Sequence, residues 1–81
     1  MKKIKYKSPS GIEYEHSIGW IIRDNIEGEE GIERQARAQT ETLSLLIQIL
    51  ADKNVLTDKE LLKLCDLPFS YNEVEVIEVG A

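Results

Sequence analysis

The sequence predicts one α+β domain in the order β-β-α-α-α-β. A small N-terminal β-hairpin, joined or not by a C-terminal strand, packs on three helices, one of them long and central. Three observations carry this expectation. Residues 2–16 alternate apolar and charged side chains on either side of a Ser-Pro-Ser-Gly turn, which is the pattern of a hairpin. Residues 18–27, 30–53 and 58–65 carry apolar side chains at helical spacing between capping signals, as helices do. Alternation then returns over about 73–79 and predicts a strand. With 81 residues there is length for a single domain, 1–81, with a thin core.

In the hairpin, Ile4 and Tyr6 alternate with Lys3, Lys5 and Lys7, and Ile12, Tyr14 and His16 alternate with Glu13 and Glu15. Ser8-Pro9-Ser10-Gly11 fits a type I turn followed by a left-handed glycine, with Pro9 where φ is already set. Closing the loop between Ser8 and Ile12 fixes the register. Tyr6 then faces Tyr14 and Ile4 faces His16 on one side, while Lys7 faces Glu13 and Lys5 faces Glu15 on the other. Each such charge pair contributes about 0.2–1 kcal/mol. The lysines read as the solvent face of an edge strand, guarding it against stray pairing.

Ser17 caps the first helix, in which Ile18, Ile21, Ile22 and Ile26 have the spacing of a buried stripe. Gly28 stands where a left-handed residue ends a helix. Gly19 is out of place, since an interior glycine costs about 1 kcal/mol against alanine. The long helix, from Glu29 or Gly31 to Lys53, opens on Glu29, Glu30 and Glu33, which suit the positive end of its dipole. Glu30–Arg34, Glu33–Arg37 and Arg37–Glu41 form a ladder of pairs along it. Its expected buried stripe is Ile32, Ala36, Leu43, Leu46, Ile47 and Leu50, with Gln39 or Thr40 filling the middle. Leu43 to Ala51 is apolar almost all round, and such a helix has to be covered on every side. In so short a chain, part of that cover is expected from a second copy.

The next turn is the most decodable stretch. Asn54 fits a left-handed C-cap, with Val55 folding back onto Leu50. Thr57-Asp58-Lys59-Glu60 is a capping box, and Leu56 against Leu61 is its hydrophobic staple. The helix so capped is expected to bury Leu61, Leu62, Leu64 and Cys65 and to end before Pro68. The last strand alternates Glu73, Val74, Glu75 and Val76, then slips phase at Ile77. That marks a bulged edge strand or a strand buried on both faces near its end. Its acids suit the Lys-rich first strand.

Ten Lys and Arg stand against fifteen Asp and Glu, a net charge of -5. This balance argues against a direct nucleic-acid binder, which needs a basic face for phosphates. The charge is also segregated. The first seven residues carry +4, and the six basic and fifteen acidic residues that follow give -9. Opposite charges so divided offer one way for copies to meet head to tail. Cys65 is the single cysteine, which excludes a disulfide framework and suits a reducing compartment. The basic N-terminus is followed by no apolar signal-peptide region. Leu45 to Ala51, interrupted by Gln48, is far shorter than the ~20 residues a bilayer requires. The expectation is a cytoplasmic protein with no membrane contact.

No residue set for catalysis emerges, so the chain is read as a non-enzyme without metal or cofactor. Cys65 and His16 form a conceivable nucleophile–base pair, yet a lone cysteine on a Leu-rich helix face reads first as a small hydrophobe. The ligand spacing of a zinc site is missing. Two glutamates inside Gly28-Glu29-Glu30-Gly31 would repel a phosphate, and no Gly-Lys-Ser/Thr follows.

Three surfaces remain as candidates. Leu43, Leu46, Ile47 and Leu50 are the expected self-association face. Tyr14, His16, Trp20 and Arg23 fall together where the hairpin meets the first helix. Trp and Arg are typical of interface anchors, although Trp20 also reads as a lid on the core beneath the hairpin. Glu27, Glu29, Glu30 and Glu33 would form an acidic face.

Over Leu43 to Leu64, the Asn54-Val55-Leu56-Thr57-Asp58-Lys59-Glu60 turn resembles that of SHOCT-type oligomerisation modules, with Asn for their glycine. The shared residues are capping signals that unrelated proteins also use, and they assign no family. The preferred function is a small acidic interaction or assembly module, homo-oligomeric and binding a further protein. Its character is that of a phage or mobile-element accessory protein. One alternative is an inhibitor that presents the acidic face to a nucleic-acid-processing or host-defence protein. Another is an oligomeric sponge for a small nucleotide.

Overall fold

The computed structural model describes residues 1–27 and 34–80, and for residues 34–37 the backbone alone. The order is β1 (Lys2–Lys7), β2 (Glu13–Ser17), α1 (Ile18–Glu27), α2 (Arg34–Asp52), α3 (Asp58–Cys65) and β3 (Asn72–Glu78). The three strands form one antiparallel sheet, β2-β1-β3. The α+β class and its order of elements are therefore as the sequence predicts.

The hairpin folds through local chemistry. Gly11 takes φ +88°, and the Ser8 N–H donates to the Ile12 carbonyl at 2.9 Å. The register is the expected one: Ile4 opposite His16, Lys5 opposite Glu15, Tyr6 opposite Tyr14 and Lys7 opposite Glu13. β1, however, is the central strand and not an edge. Its lysines lie between two acidic neighbours, with Lys3 3.9 Å from Glu15 and Lys7 3.5 Å from Glu73, and Lys5 in register with both Glu15 and Glu75. Lys3, Lys5 and Lys7 thus face acids within the sheet, while Lys2 lies 3.7 Å from Asp58 on α3. The bulge in β3 falls at Glu73 rather than at Ile77. Glu73, with φ +53°, and Val74 together oppose the single Tyr6, because the register shifts between Lys5 and Lys7.

Both helix ends around residue 55 form as their sequence dictates. Asn54 is left-handed at φ 58°, and the Val55 and Asn54 N–H groups donate to the Leu50 and Ala51 carbonyls, each at 3.0 Å. This is the paired bonding of a Schellman motif. The Glu60 N–H donates to Thr57 Oγ1 at 3.2 Å and the Thr57 N–H donates to Glu60 Oε1 at 2.9 Å, completing the capping box. Hydrogen bonding to Thr57, first from its backbone and then from its hydroxyl, holds the Glu60 carboxyl below the usual range.

The core consists of Ile4, Tyr6, Ile18, Ile21, Ile22, Ala51, Leu61 and Cys65. α1 contributes the stripe expected of it, with Ile26 half-buried. α3 contributes Leu61 and Cys65, while Leu62 is half-buried and Leu64 is exposed. Eight residues present one narrow face, too narrow for all four side chains. Burial pushes the Cys65 thiol up to about 12. No described helix is long and apolar enough to cross a membrane. Gly28, Glu29, Glu30, Ile32, Glu33 and the pairs expected of Arg34 and Arg37 lie outside the described residues or side chains.

Candidate functional site

The helix α2 packs with the opposite face inward from the one its hydrophobicity predicts. Among its described side chains the buried ones are Thr40, Ser44, Gln48 and Ala51, at i, i+4, i+8 and i+11, a single stripe of small and polar side chains. Its apolar residues point outward. Leu43 is 45% exposed, Leu45 60%, Leu46 51% and Ile49 50%.

The inner stripe is held by specific bonds. Gln48 Oε1 accepts from the Gly19 N–H at 2.8 Å, and Gln48 Nε2 donates to the Lys2 carbonyl at 3.0 Å and to Asp52 Oδ1 at 2.9 Å. The same Asp52 oxygen accepts the Lys2 N–H at 2.7 Å. One side chain thus ties α1, α2 and β1 together. Among the described residues, no buried side-chain nitrogen or oxygen lacks a partner. Gly19 has its reason here: a Cβ at that position would stand 2.9 Å from the Ser44 carbonyl oxygen. The two helices meet backbone to side chain.

The stripe expected to be buried is corrected accordingly. Leu43 and Leu46 face out, Ile47 is half-buried against the core, and Leu50 is half-buried. Leu45 and Ile49 belong to the outer face and were absent from the candidate set. Their signal was the polar Thr40-Ser44-Gln48 spacing, which defines the opposite face by subtraction.

A second surface lies on the other side of α1. Tyr14, His16 and Trp20 do come together: His16 stacks on Trp20 with ring centroids 3.8 Å apart, and Tyr14 lies 6.1 Å from His16. Tyr6 extends the row, 5.4 Å from Tyr14 and 5.5 Å from Tyr71. These rings line an open cleft of about 360 Å³, completed by Asp24, Asn25 and the Leu67-Pro68 segment. Tyr71 and Leu67 are not among the expected residues, because the return of the chain beside β1 brings them in. Phe69 is fully exposed on this loop. The expected core-lid role of Trp20 is only partial, since 41% of it is exposed.

Arg23 does not join the cleft. It lines a neighbouring groove with Trp20 and Leu45, held 3.9 Å from Glu27 and 3.7 Å from Glu41. Glu27 is therefore partly neutralised, and the rest of the acidic face lies outside the described residues. Comparison with protein-family models, curated proteins and solved structures gives no match.

Proposed function

We propose that the chain is a non-enzymatic assembly module that homo-oligomerises through the outward face of α2, with Leu43, Leu45, Leu46 and Ile49 at its centre. The observation that carries this reading is the inversion of α2. A helix that buries Thr40, Ser44 and Gln48 while exposing four leucine-sized side chains has its apolar face free for another surface. Each half-exposed leucine or isoleucine leaves about 1 kcal/mol of burial unrealised. Contiguous apolar surface of this kind marks interaction sites on soluble proteins.

A second copy is the favoured occupant on grounds of geometry. A straight helical face suits a two-fold contact in which the same patch meets itself. A protein partner acting beside this assembly belongs to the same reading.

Sedimentation of the pure protein and of Leu46→Lys tests it. The wild type is expected as an oligomer at micromolar concentration. The variant is expected as a monomer with unchanged circular dichroism, since Leu46 contributes nothing to the core. A wild type that stays monomeric at these concentrations overturns the proposal.

A further inference from the structure

The aromatic cleft is independent of the α2 face and calls for a different ligand. Its polar character is one-sided. Asp24 is exposed and has no ion-pair partner among the described residues, and no lysine or arginine lines the cleft. Arg23, the nearest cation in sequence, is directed to Glu27 and Glu41 instead. The carboxylate is felt inside the row: burial first, then Tyr71 and Asp24, push the Tyr6 hydroxyl up. A phosphate would meet repulsion here and no compensating charge, which counts against a nucleotide at this position.

The ring geometry narrows the choice further. Three of the contacts are close to parallel, at 16° for His16–Trp20, 27° for Tyr14–His16 and 23° for Tyr6–Tyr14, while Tyr6 is tilted by 31° against Tyr71 and by 49° against His16. A methylated ammonium is bound by rings that wall it in from several sides. Rings in parallel instead accept another flat group added to the stack. The flat cation among side chains is the guanidinium, weakly hydrated and matched in its donor geometry to a carboxylate.

We propose that this cleft binds an arginine side chain of a peptide segment in a partner protein, stacked beside Trp20 and paired with Asp24. The net charge of -5 favours a basic segment over the whole approach. Phe69, fully exposed on the loop that carries Leu67 and Pro68, provides apolar surface for the residues flanking the arginine. An open cleft suits a chain running past it.

Trp20 is the only tryptophan, so its fluorescence reports occupancy directly. The full-length protein is titrated with acetyl-Gly-Arg-Gly-amide and with the same peptide bearing citrulline, a neutral isostere of arginine. Free arginine and AMP are the other two arms. The arginine peptide is expected to shift Trp20 emission saturably, about two- to fivefold more tightly than the citrulline peptide, as an exposed ion pair allows. Asp24→Asn, a surface change that spares the fold, is expected to weaken the arginine peptide by a similar factor. Leu46→Lys is expected to leave it unchanged, which separates this proposal from the assembly reading. Equal binding of the citrulline peptide, an unaffected Asp24→Asn, free arginine binding as tightly as the peptide, binding of AMP alone, or no shift with any arm overturns it.

Discussion

The inverted packing of α2 makes a demanding prediction for Gln48→Glu. The substitution keeps the shape of the side chain and the acceptor for the Gly19 N–H, but removes both donors. The Lys2 carbonyl, now accepting at 3.0 Å, loses this partner, and Asp52 Oδ1, now accepting at 2.9 Å, keeps only the Lys2 N–H. Two such bonds are worth about 2 kcal/mol together. The new carboxylate also stands about 3 Å from that of Asp52, where repulsion at an effective dielectric near 20 would be about 5 kcal/mol. Proton uptake caps that cost. Holding a carboxyl of ordinary pKa, about 4.3, protonated at pH 7 requires about 3.7 kcal/mol. Gln48→Glu is therefore expected to lose about 4–6 kcal/mol at pH 7, much of the stability available to a domain of this size.

The sign of the pH dependence follows from the same repulsion. The introduced carboxyl has a folded pKa above its unfolded value, so its deficit against wild type grows as pH rises from about 4.3 towards the folded pKa. At lower pH the proton restores a donor and the gap narrows. Urea titrations of both proteins at pH 7 and pH 4.5, at one protein concentration, measure this difference. If Gln48→Glu matched wild type at pH 7, with no pH-dependent gap, Gln48 would face solvent. A conventional helix with its leucines inside would then replace the arrangement described.

Three other consequences can be checked independently. Gly19→Ala is expected to destabilise by about 1–3 kcal/mol in urea despite the better helix propensity of alanine, because the added Cβ meets a backbone oxygen of α2 at 2.9 Å. Cys65, buried with its thiol pushed up to about 12, is expected to resist a thiol reagent at pH 8 in the native state and to react at once in concentrated urea. The Glu60 carboxyl, held low by the Thr57 backbone N–H and then its hydroxyl, is expected to titrate by NMR below a free glutamate and to move only part of the way back up in Thr57→Ala, which keeps the N–H. Its stabilisation of α3 is present above the unfolded pKa and is lost as pH falls through the folded one.

What the sequence discloses here is set by the range of the determining contacts. Ser8-Pro9-Ser10-Gly11 specifies its own turn, and the turn specifies four cross-strand pairs, so the hairpin is readable without the rest of the chain. Asn54 and Thr57 with Glu60 act over six residues or fewer and are equally readable. The central place of β1 is different. It depends on β3, some seventy residues away, and a row of lysines suits a solvent edge as well as a strand between two acidic neighbours. The aromatic row shows both cases at once. Tyr14, His16 and Trp20 are close in sequence and were grouped, whereas Tyr71 arrives only through the pairing of β3 with β1.

The orientation of α2 was misread because burial was inferred from hydrophobicity alone. Turning the helix by half a revolution would bury its leucines, yet the structure blocks that in two ways. The Gly19 N–H and the Lys2 carbonyl would lose the Gln48 amide, at about 1–3 kcal/mol for each group left buried without a partner. A leucine would also have to enter a contact where a single Cβ at position 19 already comes within 2.9 Å of the Ser44 oxygen. Close packing with small groups and a satisfied amide therefore select the polar face for the inside, and selection of one face determines the other. The outward leucines follow from how α1 and α2 fit together. This links a glycine that lowers helix propensity in α1 to the exposed apolar face on the far side of α2.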